Sequence, residues 1–297
     1  MSTKSNTTNR RRGTLLAAIG AALVTATLVV LAGSPALAAV STVQDTAREH
    51  TQYGRWTFTR DSGVSGGWET TTRTPGAIAT LQFKGNRVAW KTSTYEGGGV
   101  TDVYLDGRRV ASFNGYSSTQ RNDVTGFSRR GLTEGKHTLK LVATGTRDPS
   151  APPGDVWTIV DRFVVDGATV EEDSRRISYD GWKAAAGAEA SGGTYRQGAS
   201  KTFGARCGLL HGDPQLGLIT AKGPTRGMAT VRALDTFDNS VAAEVTVDLN
   251  APKVTWQHVV PVTGLQASKT YILEVFSADG KPVVFDGCVG PVSGPIN

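Results

Sequence analysis

Beyond its first forty residues the chain alternates with a period of two, not with the period of a helix. From Thr101 to Leu105, Val103 and Leu105 fall on one face and Asp102 and Tyr104 on the other. The same alternation recurs from His137 to Val142 and from Tyr271 to Phe276. That period belongs to a strand with one buried face. Turn-forming residues separate the runs: Gly97-Gly98-Gly99, Asp106-Gly107, Pro152-Pro153-Gly154 and Asp279-Gly280. Ala184 to Ala190 could make a turn of helix, but Gly187 and Gly192-Gly193 weaken it. Short strands between glycine-rich turns predict an all-β protein built of antiparallel sandwiches.

The N-terminus follows another pattern. Lys4, Arg10, Arg11 and Arg12 precede an apolar stretch from Leu15 to Ala32, followed by Ser34-Pro35-Ala36-Leu37-Ala38. A basic head, an apolar middle and small residues before the cut predict a secretory signal over residues 1–38. The apolar run approaches the ~20 residues that span a bilayer, so an uncleaved anchor is the alternative. The cleavage triplet favours removal, a secreted chain and no membrane contact afterwards. The arginine run matches twin-arginine export only in part, which leaves the export route open. Residues 1–38 hold four positive side chains and no negative ones, so cleavage lowers the net charge from +6 to +2. No block of like charge remains to follow a phosphate backbone, which argues against a nucleic-acid partner.

About 259 residues are left after such a cut, enough for two domains. An internal repeat places them. Tyr53-Gly54-Arg55-Trp56 recurs as Tyr179-Asp180-Gly181-Trp182, and Ser65-Gly66-Gly67 as Ser191-Gly192-Gly193, at one offset of 126. Val160-Asp161 parallels Phe285-Asp286 near the end of each copy. The expected layout is one sandwich over 39–168, a polar connector over 169–175, a second sandwich over 176–290 and a tail over 291–297. Cys207 and Cys288, an even pair in an exported chain, are expected to bridge within the second copy.

Copy 1 carries Val88-Ala89-Trp90, Val103-Tyr104-Leu105-Asp106-Gly107, Gly131 to Leu139 and Val160 to Val165. Copy 2 carries Gly223 to Gly227 and Val247-Asp248-Leu249. These segments resemble the galactose-binding-like jelly rolls of secreted bacterial proteins, a group that includes several carbohydrate-binding modules. The resemblance implies tandem jelly rolls and gives His137 a structural place. It says little about ligand, because one fold hosts many functions.

Catalytic signatures are sparse. Gly63-Val64-Ser65-Gly66-Gly67 matches G-x-S-x-G, but no helix pattern follows, and the copy at Glu189 to Gly193 breaks the motif. His50, His137, His211 and His258 show no metal-ligand spacing. Asp161 and Asp286, each in an apolar strand, are expected to satisfy loop backbone, with a structural calcium site as the alternative. No other cofactor is expected. Trp56 with Trp182, and Trp68 with Tyr195, are taken as repeated core residues, and Trp256 as a packing residue. Aromatics found in copy 1 alone are freer to meet a ligand: Tyr95, Tyr104, Tyr116 and Trp157, with Asp102 and Asp106 as acceptors for sugar hydroxyls. The first function class is a non-enzymatic protein that binds a glycan or cell-wall polymer through copy 1. The alternatives are a structural or adhesive protein with protein partners, and a polysaccharide hydrolase or lyase.

Overall fold

The computed structural model describes residues 41–44, 48, 51–211 and 216–290. The expected signal and tail lie outside them. The first half contributes β1 Ser41–Gln44, β2 Thr51–Tyr53, β3 Trp56–Arg60, β4 Trp68–Thr72, β5 Ile78–Lys84 and β6 Val88–Thr94. It continues with β7 Gly99–Leu105, β8 Arg108–Asn114, β9 Arg121–Arg129, β10 Lys136–Arg147, β11 Thr158–Val160 and β12 Arg162–Val165. The second half contributes β13 Ala168–Glu171, β14 Ile177–Tyr179, β15 Trp182–Ala186, β16 Thr194–Gly198, β17 Ala205–His211 and β18 Gly217–Lys222. Then come β19 Met228–Asp235, β20 Val241–Asp248, β21 Thr255–Pro261, β22 Thr270–Ser277, β23 Val283–Phe285 and β24 Gly287–Gly290. No α-helix occurs among the described residues, so the fold is all-β, and every strand ladder is antiparallel.

The ladder order carries an internal symmetry. One eight-stranded sheet runs β11-β4-β3-β2-β17-β22-β19-β20, and the other β23-β16-β15-β14-β5-β10-β7-β8. Advancing each strand of the first by twelve, cyclically over twenty-four, generates the second. The same operation turns the four-stranded sheet β1-β24-β18-β21 into β13-β12-β6-β9. Both large sheets therefore cross the boundary between the halves. β2 pairs with β17 and β14 with β5; β1 pairs with β24 and β13 with β12. The segment 169–175, expected to be a connector, thus carries most of a paired strand.

In the first half, β5-β10-β7-β8 stands against β12-β6-β9. Leu81, Val103, Leu139 and Leu141 from the large sheet share one buried cluster with Trp90 and Phe163 from the small one. Phe113 of β8 meets Trp90 edge-on, 5.3 Å between ring centres. Gly126 lies flat on that indole, where a Cβ would collide with the ring.

The repeated Tyr-x-x-Trp residues build the seam. Tyr53, Trp56, Tyr179 and Trp182 are all buried, and Tyr53 faces Trp56 across its hairpin as Tyr179 faces Trp182. The rings also meet between halves: Trp56 to Tyr179 at 5.3 Å and Tyr53 to Phe285 at 5.9 Å. The buried Arg196 guanidinium stacks 4.3 Å from the Tyr53 ring centre. Cys207 and Cys288 are joined as expected, tying β17 to β24 within the second half.

Candidate functional site

Two hairpin turns meet at the seam, and their difference in sequence makes them asymmetric. Gly54-Arg55 closes β2 to β3, and Asp180-Gly181 closes β14 to β15. Gly54 sits at φ +62°, and a Cβ there would land on the Asp180 side chain. Arg55 then clamps Asp180: its Nε donates at 3.0 Å, its Nη2 at 2.6 Å and its backbone N–H at 2.8 Å. The same guanidinium donates to the carbonyls of Pro75 and Gly76 and lies 3.9 Å from the Phe203 ring centre.

Beside this clamp a groove of about 800 Å³ runs over the large sheet that begins at β11. Strand pairing sets a polar row across its floor. Thr71, Thr57, Gln52, Arg206 and Glu274 stand directly opposite one another on β4, β3, β2, β17 and β22. Several neighbours in the row are also hydrogen-bonded. Gln52 Nε2 donates to Thr57 Oγ1 at 2.7 Å, and Arg206 Nε donates to Glu274 Oε1 at 2.8 Å. Thr59 and Thr71 share a hydroxyl contact of 3.0 Å. Trp68, Trp157 and Phe203 supply aromatic walls, and Arg55, Arg60 and Arg73 line the groove with them. Arg73 pairs with Asp155 at 2.9 Å, both side chains more than half exposed. Such a surface pair contributes little and exchanges readily.

The cyclic shift of twelve strands carries this groove onto a second depression of about 420 Å³. Paired positions show how far the two have diverged. Where the first has Arg55, Arg60, Arg73 and Trp157, the second half has Gly181, Ala186, Ala199 and Pro282. Arg206 corresponds to Thr80 and Glu274 to Lys140. At the places of the four arginines the scaffold folds with the small residues Gly181, Ala186, Ala199 and Thr80, so the backbone does not demand the large ones.

The residues expected to form a site fall in three places. Trp157 lines the groove. Tyr95 and Tyr116 bridge each other just behind it, as Gly98 bridges Trp157. Burial pushes the Tyr95 phenol upward, with the Glu69 and Asp155 carboxylates adding to the shift. Asp102 and Tyr104 lie on the outer face of the other large sheet. There Asp102 accepts from Arg109 at 2.7 Å and Ser112 at 2.9 Å, and Lys140 caps the Tyr104 ring at 4.3 Å. Asp106, at the far end of β7, is a turn residue with φ +49°. It accepts from Thr138 N–H and holds His137 Nδ1 at 2.8 Å. The opposite ring nitrogen faces the Thr133 carbonyl, so His137 sits between two acceptors. The Thr133 carbonyl and then Asp106 raise the His137 pKa. Desolvation works against Asp106, but its bonds to His137 and Thr138 prevail and lower it.

Asp161 and Asp286 accept from the backbone N–H of Ser65 and Ser191, closing the two Ser-Gly-Gly turns. No group of three or more His, Cys, Asp or Glu among the described residues could hold a metal ion. Trp68 and Tyr195 prove not to be equivalent. Pairing puts Trp68 at the place of Thr194, and Glu69 at the place of Tyr195. Trp68 is half-buried, packed against the core as expected and lining the groove, whereas Tyr195 lines the second depression and packs on Trp256 at 4.9 Å. Arg55, Phe203, Arg206 and Glu274 carry no mark in the sequence that singles them out as a set. Arg55 gives a signal only by contrast, because Gly54-Arg55 stands in the first copy where the second has Asp180-Gly181.

No helix among the described residues is long and apolar enough to cross a membrane. No protein-family model matches the chain, and no curated protein does. Among solved structures, a Paenibacillus xanthan lyase matches at 12% identity and TM-score 0.31, over 85% of this chain and 26% of that one. A cycloalternan-forming enzyme from Listeria monocytogenes matches at 15% identity and TM-score 0.27, over 80% of this chain and 22% of that one. The chain thus spans about a quarter of each of those two proteins. The N-terminal CBM22-1-CBM22-2 tandem domain of Paenibacillus barcinonensis Xyn10C matches at 11% identity and TM-score 0.24, over 86% of this chain and 98% of that one.

Proposed function

We propose that this chain is an exported glycan-binding protein and that the seam groove is its binding site. The observation that supports this is the lining. Flat rings of Trp68, Trp157 and Phe203 flank a floor of threonine hydroxyls, an amide and guanidinium groups. Sugar rings present C–H faces that stack on such rings, and their hydroxyls bond to such polar groups. Glu274 is the one carboxylate in that lining, and it is held by Arg206. This favours binding over hydrolysis by a carboxylate pair, which needs two carboxyl groups facing one bond. The reading moves the site from copy 1 alone to the seam, because Thr202, Phe203, Arg206 and Glu274 come from the second half.

The test is a pull-down of the purified protein on insoluble polysaccharides, followed by titration of any glycan that retains it. Trp157→Ala is expected to cost roughly 1–3 kcal/mol of binding, the range of an aromatic anchor, with an unchanged unfolding midpoint. Tyr104→Ala, on the other large sheet, should bind as the wild type does. The opposite pattern would move the site to that outer face.

A further inference from the structure

We infer that the seam groove selects acidic polysaccharides, taking uronate carboxylates on its arginines while its rings hold the sugar faces. The inference rests on the glycan-binding reading and names the class of glycan.

Four arginines and a single glutamate line the groove. The places of those arginines in the symmetric partner sites are taken by Gly181, Ala186, Ala199 and Thr80. A neutral glycan needs hydroxyl and amide partners together with rings, and the floor already offers Thr57, Thr59, Thr71 and Gln52 for that. Guanidinium groups add something different: a planar fork that matches a carboxylate with two parallel bonds.

Three of the four arginines divide by the work they already do. Arg55 is committed to Asp180, Pro75 and Gly76, and so fixes the groove wall. Arg206 holds Glu274 through Nε and Nη2 and directs Nη1 towards Gln52, at 3.5 Å. Arg73 is far more open than either, 64% exposed against 16% for Arg55 and 34% for Arg206. Its partner Asp155 is 56% exposed. Its guanidinium also sits 5.8 Å from the Trp157 ring centre. A carboxylate on a sugar stacked against Trp157 would therefore meet Arg73 and could replace Asp155. That exchange keeps the charge paired and removes only a weak surface contact.

The experiment is affinity electrophoresis of the purified protein through gels containing polygalacturonate, fully methyl-esterified galacturonan, or neutral xylan. The first two share a backbone and differ in charge. Polygalacturonate should retard the protein with an affinity at least about tenfold above that of the ester, the scale of one charge-assisted hydrogen bond. Arg73→Gln should lose most of that advantage, read as the ratio of the two affinities within the same variant. Equal retardation by polygalacturonate and its ester, or an Arg73→Gln variant that still prefers the acid, overturns the inference and leaves glycan binding standing. Retardation by none of the three gels, with no glycan retained in the pull-down, overturns both. A gel containing single-stranded DNA completes the test, since stronger retardation there would make the groove a general polyanion site and overturn the inference as well.

Discussion

Gly54 shows how one missing side chain decides the seam. It holds φ +62° and leaves no room for a Cβ beside Asp180. Gly181, its neighbour across the seam, holds φ +89°, and a Cβ there would meet nothing within 4 Å. Gly54→Ala and Gly181→Ala both meet the left-handed backbone cost of about 1 kcal/mol or more. Only the first also displaces Asp180 from Arg55. Chemical denaturation should therefore show Gly54→Ala as clearly the less stable variant; equal losses would mean that the Asp180 contact contributes nothing. Glu69 gives a pH signature. Burial pushes its carboxyl from 4.5 up to about 7, against the bond from Ser93 and helped by Asp61 and Asp161. Below 4.5 the folded and unfolded chains both hold the proton, and the group costs nothing. Between 4.5 and about 7 the unfolded chain releases it first, so stability falls as pH rises. Between about pH 4 and pH 8 the wild type should lose up to about 3 kcal/mol more than Glu69→Gln. Parallel stability curves for the two proteins would remove Glu69 as the cause. The burial of Tyr53, Trp56, Tyr179 and Trp182 is legible in the sequence because both copies keep them. The role of Asp106 is not, because its partner His137 is thirty-one positions away.

At the level of strands, alternation tells which residues share a face but not which strands lie side by side. Asp102 and Tyr104 do share an outer face, as their spacing implies. The row from Thr71 to Glu274 cannot be read from the chain, since it depends on β2 meeting β17 across the seam. Trp68 does pack against the core, half-buried, but its expected match to Tyr195 fails for a related reason. Copies aligned one residue out of register exchange the faces of every side chain, and matching aromatic to aromatic sets Trp68 against Tyr195 instead of Thr194. The disulfide is easier, because two cysteines allow one pairing. It closes a separation of 81 residues, for which chain entropy gives at most about 4.5 kcal/mol. Cys207→Ala with Cys288→Ala should lower stability by up to that amount while the groove still binds its glycan, since neither cysteine lines it. Loss of binding at full folded population would show instead that the bridge shapes the site.

The whole molecule depends on reciprocity between its halves. A tandem of separate domains would place few ladders across the boundary. Here both eight-stranded sheets cross it, β1 and β13 each add to a small sheet, and the Tyr and Trp rings of the two copies pack together. A half prepared alone would expose the edges of β2 and β5, or of β14 and β17, as unpaired strand templates that invite aggregation. The exposed turn between β13 and β14 offers a sharper test than separate expression. Cleavage after Arg175 leaves all ladders intact, and no disulfide links the fragments, since both cysteines lie in the second half. The cleaved protein should elute from a sizing column with the intact chain, keep its binding to the glycan, and come apart only in denaturant. Two smaller particles in native buffer would mean that the seam ladders are too weak to hold the halves. The groove would then have no floor, because Gln52 and Arg206, neighbours in its polar row, belong to different fragments.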